Sequence, residues 1–382
     1  MDIRDYLLQI MPTRQQVDFF LTRQGLDGLQ PNRGWLYEAE LGWVHADAMH
    51  PADGEGGVDT FYRYEDDGAR MALNCRDRPR EIHTYGNSFT HGDQVNDGET
   101  WQEFLAAAIN KPVRNYGVGG YSVYQAYRRM CKVHHEGKQI ASHIIFNIFD
   151  DDHFRNLDAW RSIRTAAPSC CGFTQPHLRV SPDNHTVKEV ENPLPTQQDV
   201  VKLCDADYVT KAFADDPILK VILDAINEQL NDANPDDQRK TPSDVSQIEP
   251  AYLQGAREQI ARRLEKPALL ATRYVVEMIE RFVEETNKRL MFVLSFDVAS
   301  MIGELNGRAG YYQPFVEWLK QRAHPVIDMR EAFKTDLANS RLNVEAHLAQ
   351  YYTCHHTASG NFLTARTILP TLRDWMESSV EK

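Results

Sequence analysis

Two short stretches of this chain hold the residue types that acyl transfer needs. Glu81–Thr90 (EIHTYGNSFT) sets Ser88 just past a short apolar run, inside a turn containing glycine. Cys354–Asn361 (CHHTASGN) supplies His355 near the other end of the chain. A serine hydroxyl becomes a nucleophile when a base takes its proton, so a serine on a strand-to-helix turn and a late histidine are the two central parts of a serine esterase. Such a turn exposes its hydroxyl at the carboxyl end of a sheet, where open α/β folds place ligands. Taken alone, Gly86-x-Ser88-x-Thr90 is also the pattern of a Ser/Asn turn that only caps the next helix.

The elements that must position this pair are regular from residue 81 onward. Glu81–Tyr85 reads as a short strand, Thr100–Asn110 as an amphipathic helix, and Val113–Tyr116 as a second strand closed by Gly117–Gly120. Ser122–His135 reads as a helix with Ser122 as its cap. His143–Phe149 (HIIFNIF) is nearly all apolar, as expected of a strand covered on both faces. Leu290–Phe296 is a fourth strand, Gln313–Arg322 a helix, His324–Asp328 a short fifth strand and Gly360–Ser378 the last helix. This alternation predicts a three-layer α/β/α fold around a parallel five-stranded sheet.

Upstream, Pro12 suits a first helical turn before RQQVDFFLTRQ, Thr60–Tyr64 reads as a strand and Asp66–Gly68 as a turn. The middle, about 160–250, is polar and carries prolines. It reads as an insertion or cap rather than sheet, with a helical piece near Ile218–Leu230 and a turn-rich run NDANPDDQRKTPSD. Helices resume at Pro250–Leu264 and Pro267–Lys288. The expected organisation is an N-terminal extension, residues 1–79, packed on an α/β domain, residues 80–382, that holds the insertion.

Composition narrows the function class. The 382 residues carry a net charge of -13, which disfavours nucleic acid and anionic lipid alike. No run is apolar and long enough to span a bilayer, and the N-terminus does not resemble a signal peptide. The six cysteines (Cys75, Cys131, Cys170, Cys171, Cys204, Cys354) show no CxxC spacing, so free thiols in a cytoplasmic protein are expected. Asn184-His185-Thr186 fits a glycosylation sequon that has no meaning without secretion.

Tyr85-Gly86-Asn87-Ser88-Phe89-Thr90 resembles the first block of the SGNH (GDSL) hydrolase superfamily, where Gly-Asp-Ser-Phe-Thr is common, and GDQVNDGETWQEFLAAAI is similar to the usual sequel. Asn115–Tyr121 (NYGVGGY) resembles the second block, and Asp150-Asp151-Asp152 stands where the third, Gly-x-Asn-Asp, is expected. His355, with Thr357, Gly360 and Asn361 behind it, resembles the fifth. GWVHADAMHPAD and YRYEDDGAR look like the segment before the sheet in many large members, so the resemblance covers most of the chain outside 160–250. It implies a flavodoxin-like sheet and an esterase or acyl hydrolase, with O-deacetylase and acyltransferase as variants. Ser88 would attack an ester carbonyl and His355 would take and return the proton. Backbone N–H groups of Ser88 and Gly120, with one third-block side chain, would hold the oxyanion, each such donor contributing about 3–4 kcal/mol. The implied partner is a small-molecule or carbohydrate ester, and no cofactor is called for.

Three residues depart from the family pattern. Asn87 replaces the aspartate that shapes the first turn. The third-block asparagine falls on Asp151, with Asn147 or Asn156 as the alternative register. A carboxylate accepts hydrogen bonds, so Asp151 donates only if protonated, a state favoured by burial beside Asp150 and Asp152. The triad acid, three residues before the histidine, falls on Tyr352. A Ser–His dyad with a backbone carbonyl, or an acid from elsewhere, would then complete the site. These departures leave two rivals: a descendant of the fold that only binds a ligand, and a metal-dependent hydrolase built on Asp150–His153 (DDDH) with His355 or His356. Consecutive acids also cap helices, and His83, His134, His135 and His356 have plain structural readings, the pair His134–His135 as imidazolium favoured by a helix end.

Overall fold

Five runs rich in β-branched and aromatic residues form one parallel sheet: β1 Ile82–Tyr85, β2 Val113–Asn115, β3 His143–Phe149, β4 Arg289–Ser295 and β5 Val326–Asp328. This computed structural model describes residues 1–21, 34–137, 141–166, 174–181, 183, 186–232 and 250–377. The sheet order is β5-β4-β3-β1-β2. Its registers run Ile82↔Val113, Ile82↔His143, Arg289↔His143 and Phe292↔Val326, all parallel. The central β3 is buried along its whole length. Burying one side chain such as Phe146 or Ile145 contributes about 1.5–3 kcal/mol, so β3 is the axis of this core.

The order 2-1-3-4-5 is that of a flavodoxin-like doubly wound sheet. The chain reverses direction across the sheet between β1 and β3, and the crevice beyond their carboxyl ends is where such folds bind ligands. Ser88 follows β1 and Asp150–Asp152 follow β3, so both flank that switch point.

Local signals set the helices around the sheet. Helix α1, Ser88–His91, is a single turn. Helix α2, Trp101–Ile109, starts at the Thr100 cap and stops at Asn110, which is left-handed at φ +55°. Helix α3, Val123–Glu136, opens with a Ser122/Gln125 capping box. In its last turn burial, then Lys288 and His135, lower the His134 imidazole. Further helices are α4 Val298–Leu305, Gln313–Lys320, Met329–Ala338 and Ala358–Glu377.

The described chain falls into two compact units. One comprises Met1–Gln24, Leu36–Trp43 and Phe154–Ala271; the other comprises Gly25–Trp35, Val44–His153 and Thr272–Lys382 and contains the sheet. The first is largely helical: Ile3–Ile10, Ala206–Phe213 and Pro217–Asp232, with the Tyr6 hydroxyl donating to Ile163 O at 2.7 Å. It also holds an antiparallel pair, His177–Val180 with Val187–Val190, where the sequence reading had no strand. These strands are four residues each and one is charged at its centre, so their period-2 signal is short beside the surrounding prolines. Asn184, His185, Cys170, Cys171 and the turn-rich run from 233 onward lie outside the described residues. The described Cys75, Cys131, Cys204 and Cys354 are free thiols.

Pro250–Glu285 is one helix, not the two expected, and Pro267 lies inside it. A proline removes one intrahelical bond. Here Leu264, Ala268, Ala271, Val275 and Ile279 keep one buried stripe running past it, and burial outweighs the missing bond. Among the described residues no helix is long and apolar enough to cross a membrane.

Candidate active site

The turn after β1 is fixed by sterics first. Gly86 sits at φ +151°, and a Cβ there would lie 2.2 Å from Thr90 Oγ1 and 2.7 Å from Asn147 O, so only glycine fits. Asn87 then caps α1: its Oδ1 accepts from Phe89 N at 2.8 Å. Its other end, Nδ2, donates to Asp152 Oδ2 at 2.5 Å, and the same Oδ2 accepts from Phe149 N at 3.1 Å. One amide therefore ties the turn after β1 to the turn after β3. An aspartate at 87 would lack the donor. Ser88, with 4% of its surface exposed, is held between these ties.

His355 meets that serine, its Nε2 lying 2.9 Å from Ser88 Oγ. The loop carrying it is pinned by a residue the sequence reading passed over, Gln94. Gln94 Oε1 accepts from Thr353 Oγ1 at 2.8 Å, Cys354 N at 3.0 Å and His355 N at 2.8 Å, and it lies 3.4 Å from His355 Nδ1. Backbone N–H groups only donate, so the atom facing them is the amide oxygen. A ring proton on Nδ1 would face that oxygen and turn the Nε2 lone pair toward Ser88, the tautomer a general base needs.

Tyr352 stands elsewhere. Its hydroxyl donates to Phe296 O at 3.2 Å, and its ring packs on His356 and Phe89. It does not substitute for an acid at His355. His356 is buried against Phe89, Tyr352 and Phe333, and burial pushes its imidazole down to about 3.

The oxyanion candidates lie on the two neighbouring loops. Gly120, at φ +76°, follows β2, and the N–H of its neighbour Gly119 donates to His45 Nε2 at 2.8 Å. Asp151 is half-buried after β3, and its N–H donates to Asp150 Oδ1 at 2.9 Å. Burial, then Asp297, push Asp150 up to about 8, against a hydrogen bond from Ser300. Of the alternative asparagines, Asn147 is inside β3, pairs in register with Val293 and accepts from Ser295 Oγ at 2.7 Å. Asn156 belongs to the other unit. Asp152, after β3, accepts from Asn87 on the Ser88 turn, and Asp151 lies beside it.

The Asp150–His153 run does not converge as a metal cluster. Asp150 pairs toward Asp297 and Ser300, and Asp152 toward Asn87. His153 Nδ1 sits 2.8 Å from Thr272 Oγ1 with its imidazole pushed down to about 3 by burial. Among the described residues, one group has ligand-type atoms mutually within 4.8 Å: His45, His91 and Asp93. These atoms are largely engaged within the protein. His45 Nε2 takes the Gly119 N–H, His91 Nδ1 pairs with Asp93 Oδ1, and His91 Nε2 lies 2.6 Å from the Tyr64 hydroxyl. The two rings stack at 4.4 Å. Although burial raises the Asp93 carboxyl, His91, and after it His355 and His45, hold it well below the usual carboxylate range. Asp93 hydrogen-bonds His91, His91 stacks on His45, and the Asp93 carboxyl is held in its charged form.

No signal in the sequence links Gln94, Asp93, Asp53 or His45 to His355. The Gln94 contacts join residues 259 to 261 positions apart. The available hint is that DQ falls within the run GDQVND that follows the serine.

The fold and this geometry define an α/β protein with flavodoxin strand order and a serine–histidine pair at the switch point. No family model matches the chain, and no curated protein matches it. Among solved structures, it is similar to a protein from Desulfitobacterium hafniense DCB-2 ascribed to the lipolytic G-D-S-L family. The identity is 12%, with 76% of this chain and 98% of that chain covered, at a TM-score of 0.33.

Proposed function

We propose that the protein is a serine-dependent ester hydrolase or acyl transferase acting on a small-molecule or carbohydrate ester. The observation that carries this reading is the 2.9 Å contact between Ser88 Oγ and His355 Nε2. In the first half-reaction Ser88 Oγ bonds to the acyl carbon as its proton passes to Nε2. The oxyanion is held by the N–H groups of Ser88 and Gly120, with Asp151 beside them. Collapse breaks the acyl–oxygen bond, and the alcohol leaves with the proton from Nε2. Water or a second alcohol then repeats the sequence on the acyl-serine.

A fluorophosphonate tests this without knowledge of the substrate. The purified protein should label at one serine, lose labelling in Ser88→Ala, and cleave p-nitrophenyl acetate by the same dependence. An equally reactive Ser88→Ala protein would refute the assignment. Absent labelling with tight binding of an acylated sugar would instead favour a binding descendant, the reading that Tyr352, turned away from His355, supports.

A further inference from the structure

A triad acid does two things: it holds the imidazole at one angle and tautomer, and it stabilises the imidazolium that forms. With Tyr352 bonded to Phe296 O, no acid three residues before His355 does either. The structure offers both elsewhere, on adjacent residues.

Orientation is available from Gln94. Its Oε1 gathers three donors from the His355 loop at 2.8–3.0 Å, and the Nδ1 contact at 3.4 Å completes a cradle around the ring. The amide is itself locked from behind. Nε2 donates to Asp53 O at 3.0 Å, and Gln94 N donates to the Tyr62 hydroxyl at 2.7 Å, which in turn donates to Asp53 Oδ2 at 3.1 Å. The residue holds a left-handed backbone, φ +70°, that side chains other than glycine seldom adopt. That conformation persists only where surrounding bonds over-determine it.

Charge is available from Asp93, the next residue back. Its backbone N–H donates to Ser88 O at 3.1 Å, its Oδ1 pairs with His91 Nδ1, and its Oδ2 would lie 3.0 Å from a Cβ placed on Gly119. We propose that Gln94 is the positioning residue of the Ser88–His355 pair and that Asp93 supplies the negative charge, so that one dipeptide divides the two roles of a triad acid. The proposal rests on the serine mechanism above. Titratable groups that interact electrostatically with His355 include Asp93 and the buried His356, with Asp53 bonded to Gln94 and Asp297 acting on the neighbouring Cys354.

The experiment is the pH dependence of the fluorophosphonate labelling rate in the intact protein and in Gln94→Ala, Gln94→Glu and Asp93→Asn. Gln94→Ala should lower the plateau rate constant by about 100-fold, the usual effect of misplacing a catalytic group by about 1 Å, with nearly the same midpoint. Gln94→Glu should keep a measurable plateau and move the midpoint to higher pH, because a carboxylate now faces Nδ1. Asp93→Asn, which keeps an acceptor for His91, should move the midpoint to lower pH. A merely structural role for Gln94 would reduce the labelled fraction while leaving the rate constant of that fraction unchanged. That result, or an unmoved midpoint in both charge variants, would overturn the division of roles. An unlabelled wild-type serine would instead remove the serine mechanism itself, so the two failures are distinguishable.

Discussion

Asn87→Asp should be harmful in a way that depends on pH. Asn87 Nδ2 donates to Asp152 Oδ2 at 2.5 Å, and the two residues are 0% and 1% exposed. The substitution removes a hydrogen bond to a charged acceptor and sets two carboxyls face to face. Two full charges about 4 Å apart at an effective dielectric near 20 would repel by about 4 kcal/mol. The pair escapes by keeping one proton, which raises one folded-state carboxyl from about 4 to about 7 or above. At about 1.4 kcal/mol per pH unit, the cost is about 4 kcal/mol at pH 7 and about 1.5 kcal/mol at pH 5. The sign is that of an acid with a raised folded-state pKa: the penalty is absent below the unfolded value and grows as pH rises. For a unit of this size it corresponds to a melting-temperature gap of about 8–16 °C at pH 7, narrowing to about 3–6 °C at pH 5. Calorimetry of wild type and Asn87→Asp at pH 5, 6 and 7 measures it. A gap that is absent at pH 7, or constant across the series, would refute the argument that Asn87 is dictated by Asp152.

Two further outcomes concern the buried ionisable groups. Asp150 is pushed up to about 8 by burial and by Asp297, so the folded chain keeps a proton that the unfolded chain gives up above about pH 4. Stability contributed at this position should fall between pH 4 and 8. Asp150→Asn should therefore gain melting temperature relative to wild type as pH is raised from 5 to 8, and a gap independent of pH would count against a protonated Asp150. His83, His153 and His356 are each pushed down to about 3 by burial, so the unfolded chain binds protons that the folded chain refuses below about pH 6.5. Urea unfolding at pH 7, 6 and 5 should show stability falling with acid, and His153→Gln should flatten that slope by up to about 1.4 kcal/mol per pH unit.

What the sequence made legible was whatever depends on near neighbours. Ser88 and His355 stand out because each lies in a short run with its own turn chemistry. The five strands stand out because apolar runs of this length punctuated by helices admit few alternatives. Contacts across long loops left no such mark. The Asn87–Asp152 tie spans 65 positions, and the Gln94 cradle spans up to 261. Spacing also misdirected: Tyr352 occupies the acid's place in sequence, yet the loop bends so that it pairs with His356 in an isolated bridge while its hydroxyl turns to Phe296 O. At Pro267 and at the His177–Val190 pair, local propensity was overruled by burial and by pairing between segments that composition had marked as irregular.

The three departures that weaken a reading by spacing alone are linked once their partners are seen. Asn87 is required where Asp152 is the acceptor, because only an amide can cap α1 with one end and donate to a carboxylate with the other. Under the division of roles proposed above, Tyr352 is tolerable, because the acceptor at Nδ1 and the nearby negative charge that a catalytic imidazole needs would come from Gln94 and Asp93 rather than from its own loop. Asp151 sits between Asp150 and Asp152 with its N–H directed to Asp150. A site assembled this way lines the β3 loop with carboxyl groups. In the proposed mechanism oxyanion stabilisation would then come mainly from backbone N–H groups on the Ser88 and Gly120 turns, and the first of these is fixed by the crowding at Gly86.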